Sequence, residues 1–141
     1  MQPDTETDCP LWRRGLGMFY DAILLFAVLF LATALLLPFH GGTAFESGNI
    51  PYLIYLLAWG YLYFAWPWTH GGQTLGMRAW RIRAVDKAGK PPGWRYASLR
   101  YLASLLSWLL LGAGFAWALF DRRRRTLHDI LSHTRLLVVR D

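Results

Sequence analysis

The chain has 141 residues, 55% apolar and 17% charged, with a formal net charge of +6 and one cysteine. A soluble domain carries about 25% charged residues; here the shortfall falls in long charge-free runs, which argues against a water-solvated globule and for membrane spans. The positive excess does not signal nucleic acid, because no Lys or Arg lies between Gly15 and Arg78 and no RNA-stacking platform accompanies the charge.

Residues 1–12 read as a polar, acidic and mobile leader (Asp4, Glu6, Asp8), and residues 13–141 as one membrane domain. Cys9 has no internal disulfide partner, and no apolar segment precedes it as in a lipoprotein. A first span is expected from Met18 to Phe39, since about 20 residues cross a core of roughly 30 Å. Arg13, Arg14 and the later Ala32, Thr33 and Ala34 imitate a signal peptide. The apolar run continues to Phe39, however, which favours an uncleaved anchor. Pro38 and the glycines after His40 stop it, and the short loop at 40–50 carries only Glu46 as a formal charge.

A second span is expected from Pro51 to Trp68. Its Tyr52, Tyr55, Trp59, Tyr63 and Trp66 recur at steps of three and four and so share one helix face. A pore wall is one reading of that face; helix packing with interfacial aromatic belts is the preferred one. A basic segment follows, from His70 to Arg100. Met77 to Asp86 partly alternates and reads as a strand, Lys87 to Gly93 as a turn, and Thr134 to Arg140 as a second strand able to pair with the first.

Between these lies a third apolar stretch, Tyr101 to Phe120. A straight span there would put Arg122 to Arg125 on the side opposite the basic 70–100 segment, against the positive-inside tendency. A re-entrant hairpin broken at Gly112, Ala113 and Gly114 removes the conflict and lets the last strand reach its partner; a true third span is the alternative. The expected fold is therefore an all-α integral membrane protein. It has two transmembrane helices, a third Gly-broken apolar helix or re-entrant hairpin, and a small cytoplasmic two-stranded β element.

Arg14 and Asp21 are seven apart, on nearly the same azimuth with Gly17 between them, but about 10 Å apart along the axis, so each needs a partner on another element. Asp21 is the one ionisable group inside the first apolar run; such a group is a functional candidate, or a structural pair at the interface. Thr126 and Asp129 fit a variant capping box, which accounts for Asp129 without a function. Arg122 to Arg125 read as a headgroup-facing collar that also offers partners to Asp21 or Asp129. Gly71 to Gly76 lacks the lysine and Ser/Thr of a P-loop. His128 and His133 point to different helix faces, and His40 and His70 sit at opposite span ends, so neither pair suggests a metal or haem. No cofactor and no enzyme site is indicated.

Arg14, Asp21, the run Gly72 to Gly76 with Gln73 inside it, and Arg124 to Asp129 ahead of a Thr-x-x-x-Val end resemble the RDD family of bacterial membrane proteins, named for one arginine and two aspartates. The resemblance covers nearly the whole chain from Arg13. It implies a functional triad of Arg14, Asp21 and Asp129, with Arg13 as the other candidate arginine. Gly17, Gln73, Gly76, Arg100, Arg124, Arg125 and His128 are supporting residues. It also implies a multi-pass protein of the bacterial cytoplasmic (inner) membrane with a cytoplasmic N-terminus. The family's function is unassigned, with transport suggested and cation/proton antiport proposed for some members. Two functions are expected here. One is an accessory or interaction subunit of a membrane complex, whose charges form a lock at the cytoplasmic interface. The other is a small-solute or cation/proton transporter titrating at Asp21. Anionic lipid headgroups and a second copy or another membrane protein are the expected partners. Three apolar stretches are few for a monomeric transporter, so transport would need an oligomer.

Overall fold

The structure, a computed structural model, describes residues 7–110, 113–122 and 126–139. The described part of the chain starts with a two-residue strand β1 (Thr7–Asp8) and enters α1 (Leu11–Leu36), which continues as a 3-10 turn, Leu37–His40. A loop leads to α2 (Ile50–Thr69) and then α3 (Leu75–Ala79), β2 (Ile82–Val85) and α4 (Trp94–Leu109). The short helices α5 (Ala113–Phe120) and α6 (Leu127–Leu131) precede the last strand, β3 (Arg135–Val138).

Leu11–His40 is long and apolar enough to cross a bilayer, and only 6% of its most apolar window is buried within the protein. Phe19, Ile23, Phe26, Phe30, Leu31 and Leu35 stand exposed along it, which in water would be an aggregation-prone stripe. Among the described residues no other helix is both as long and as apolar. α2 carries no charged residue at all, but Tyr and Trp replace Leu and Ile over much of it.

Those tyrosines explain why α2 lies between α1 and α4. Toward α1, the Tyr52 hydroxyl bonds Thr33 Oγ1 at 2.8 Å and Tyr55 donates to the Ala32 carbonyl at 3.0 Å. Toward α4, Tyr61 meets Ser98 Oγ at 2.7 Å, and Tyr101 donates back to the Leu57 carbonyl at 3.0 Å. Tyr101 fits because residue 60 is glycine: a Cβ there would lie 2.8 Å from its hydroxyl. Of the aromatic face, Tyr52 and Tyr55 thus serve helix packing, each hydroxyl finding a partner on α1, whereas Trp59 and Trp66 stand exposed.

Two departures from expectation have local causes. Residues 75–79 are helical rather than the start of a strand, because Thr74 accepts the Met77 amide at 3.2 Å as N-cap. Strand pairing begins only at Ile82, which pairs with Val138 in the antiparallel β2–β3 ladder. Residues 7–12, expected as leader, are ordered: Thr7 and Asp8 pair with Val138 and Leu137 on the other edge of β3, giving the sheet order β1-β3-β2. The loop before α3 joins this sheet through Gly72, whose carbonyl accepts Ala84 N at 2.7 Å. Gly72 is obligatory there, with φ +73° and a would-be Cβ 2.4 Å from the Ala84 carbonyl oxygen.

In the third apolar stretch, residues 111 and 112, with Gly112 of the expected break, lie outside the described residues. α4 ends at Leu109, α5 begins at Ala113, and α5 packs against both α4 and α6. The sheet therefore collects at one end of the molecule the start of α1, the chain after α2, and the segment after α6. Its buried apolar residues, Ile82, Ala84, Leu136 and Val138, join Cys9, Met77, Trp68 and Ala97 in a single core cluster.

Candidate functional site

Two buried carboxylates lie at the sheet end, in separate nests. Asp21, 4% exposed, sits on α1 where that helix crosses α3. Gly17 and Gly76 make the crossing close: a Cβ on Gly76 would fall 2.4 Å from the Gly17 carbonyl oxygen and 2.7 Å from Asp21 Cγ. The carboxylate then receives the Gly76 amide at 2.9 Å on Oδ1, the Tyr63 hydroxyl at 2.8 Å on the same oxygen, and the Thr74 hydroxyl on Oδ2. Thr74 Oγ1 thus donates to Asp21 while accepting from Met77 N. All of these donors are neutral, and they come from α2, from the loop before α3, and from α3 itself.

Asp129 is fully buried, 0% exposed, on α6. Arg100, from the second turn of α4, bonds its Oδ1 and also donates to Thr134 Oγ1 at 2.8 Å. The Thr126 amide donates to Oδ2 at 3.1 Å, the side-chain-to-amide half of the expected capping box. Arg14 Nη1 stands 2.8 Å from Oδ2, but its N–H groups are not aligned on that oxygen, and Arg14 Nε has no partner. Arg100 and Arg14 are 3% and 5% exposed, so two buried guanidiniums share this carboxylate. The Arg100 guanidinium also lies over the Trp68 ring, 5.0 Å from its centroid, a cation–π contact that partly replaces lost water.

The expected triad is therefore divided: Arg14 is brought to Asp129, whereas Asp21 is held by other groups. Of the two neighbouring arginines, Arg14 is the buried one, and Arg13 lies over Trp12 at 5.3 Å. Gln73 Nε2 donates to the Ile82 carbonyl at 2.7 Å and ties the loop to β2. Arg124 and Arg125 lie outside the described residues, as does the side chain of His128. Tyr63, Thr74 and Thr134 were not singled out for chemistry from the sequence. Thr74 stood within the glycine-bounded run 72–76 and Tyr63 on the aromatic face of α2, but nothing in either pattern pointed at Asp21.

With the arginine and both aspartates in place, the comparison with known proteins is decisive about kinship. The sequence profile of the RDD family matches residues 9–133. The chain belongs to the RDD family. It is accordingly a membrane protein, in keeping with the exposed apolar surface of α1. No curated protein and no solved structure matches it.

Beside the Asp129 nest opens a cavity of about 650 Å³, its wall including Cys9, Arg14, Asp129, Asp86, Lys87, His133 and Arg135. Burial pushes the Cys9 thiol above its ordinary value, and the adjacent Arg14 guanidinium opposes that shift without cancelling it. A second, apolar hollow of about 440 Å³ lies along Leu62, Tyr63, Trp66, Pro67 and Leu75. Among the described residues Asp21 lines neither.

Proposed function

We propose that this RDD protein is an accessory or interaction subunit of a cytoplasmic-membrane complex, in which the arginine and the two aspartates clamp the membrane helices to a cytoplasmic sheet. The observation that carries this reading is the closure of the Asp21 carboxylate. Three neutral donors engage it and it is buried, so it is built as a strut rather than as an exchanging proton site.

The same reading orients the chain as a multi-pass protein. α2 crosses as the second span: its 20 charge-free residues extend about 30 Å. α4, with 16 residues, reaches only about 24 Å, and α5, with 8, about 12 Å, so the two form a re-entrant hairpin. Arg13, Arg14, Arg78, Arg81, Arg83, Lys87, Lys90 and Arg95 gather toward the sheet end, while the 41–49 loop has no Lys or Arg. That distribution supports a cytoplasmic sheet and N-terminus.

Reconstitution tests it. Wild-type protein in liposomes is expected to pass no protons when Na⁺, K⁺ or Li⁺ gradients are imposed, and Asp21→Asn to lower the melting temperature. Cation-driven proton flux in wild type, abolished in a well-folded Asp21→Asn protein, would overturn the proposal in favour of antiport.

A further inference from the structure

The Asp129 nest leaves a positive charge uncompensated. Arg14 and Arg100 are both buried, and among the described residues their carboxylate partner is the shared Asp129. Burying a guanidinium without full pairing is costly, and proteins accept that cost where a ligand supplies the missing counter-charge. Arg14 is the one of the pair that lines the 650 Å³ cavity, and its Nε lacks a partner. Lys87 and Arg135, both exposed, add cationic groups to the same wall, and His133 stands beside them. Of the two carboxylates there, Asp129 is engaged by the arginines, and Asp86 Oδ1 is engaged by the amides of Ala88 and Lys90 at 2.8 and 3.0 Å. The volume suits a small solute or a headgroup.

We infer that this cavity is a binding site for a phosphate-bearing anion, with Arg14 as the buried anchor and Lys87 and Arg135 as the rim. A guanidinium whose N–H fork is not consumed by its own carboxylate offers paired donors to phosphate oxygens. The cavity opens where α1 begins, so the phosphate can belong to a lipid headgroup or to a soluble molecule. The site shares Arg14 with the clamp proposed above but does not rest on the role of Asp21, since a proton-moving Asp21 would leave it intact.

The test uses the full-length protein in phosphatidylcholine nanodiscs, titrated with inorganic phosphate against chloride of equal ionic strength, with a parallel set of discs containing phosphatidic acid. Phosphate or phosphatidic acid is expected to raise the melting temperature. The double variant Lys87→Gln/Arg135→Gln, which leaves the buried nest untouched, is expected to bind about tenfold more weakly. Stabilisation by phosphatidic acid alone assigns a headgroup; stabilisation by free phosphate that phosphatidic acid does not compete with assigns a soluble ligand. No stabilisation by either, or binding unchanged in the double variant, overturns the site. Arg14→Lys supplies a further check: it keeps the charge but loses the fork, so a folded Arg14→Lys protein should weaken phosphate binding as well.

Discussion

Asp21 and Asp129 are both carboxylates removed from water, yet they are held by opposite means. Among the described residues, Asp21 is held by two hydroxyls and a backbone amide, and the partners of Asp129 include two guanidiniums and an amide. The Asp21 nest lies where α1 meets α2 and α3, and there the polar partners are ones that cost little to bury. The Asp129 nest lies beside the sheet, where arginine stems can run through protein while the charges converge. Neutral donors give a nest that tolerates the loss of charge; guanidiniums give one that does not. The difference predicts that two substitutions of the same kind, aspartate to asparagine, will have unequal consequences.

The largest effect should come from Asp129→Asn, which leaves two buried guanidiniums facing an amide. Breaking one side of a buried ion pair costs about 3–5 kcal/mol, enough to prevent folding in many domains. Loss of the monodisperse peak in detergent and a collapsed melting transition would register it; a native-like melt would break the comparison. Next comes Gly76→Ala. Its methyl must displace the Gly17 carbonyl and the Asp21 carboxyl, rigid backbone on one side and a bonded acid on the other. Overpacking of that kind costs about 3 kcal/mol and should also dislodge the Thr74 hydroxyl, read as a lowered melting temperature.

Asp21→Asn should be milder, at about 1.5 kcal/mol, because its amide oxygen can still accept from Gly76 or Tyr63 while Thr74 turns to accept from the new NH₂ group. If it proves as damaging as Asp129→Asn, the division into neutral and ionic nests fails. The smallest effect is a pH dependence at Cys9. Its folded pKa is raised from 9.0, so its contribution to stability is present below that ordinary value and declines as pH climbs past it. Melting temperature should therefore be insensitive to this group near neutrality and fall at alkaline pH, and Cys9→Ala should remove that part of the decline. Maleimide labelling of the folded protein should be slow at neutral pH for the same reason.

The sequence was informative where one residue type broke a uniform background. An aspartate in an apolar run, an arginine just ahead of it and a Thr-x-x-Asp box each stood out alone. The division of the three charges did not, because their mates are common residues in unremarkable settings. Thr74 is one threonine among several, and its dual role depends on α3 being a helix, which the alternation of Trp80, Ile82 and Ala84 disguised. Arg100 was visible only as a supporting cation; that it outranks Asp21 as a neighbour of Asp129 follows from the fold of α4 against α6. β1 could not be foreseen, since two polar residues carry no periodicity and are strand only because β3 offers an edge.

The central place of β3 also fixes an order of events during synthesis. The strand that joins β1 to β2 lies at residues 135–138, so it leaves the ribosome after almost everything it must connect. Asp129 likewise emerges long after Arg14, so Arg14 is made with its carboxylate partner still to come. Insertion of α1 can thus precede closure of the sheet, which waits until residues 135–138 have been made.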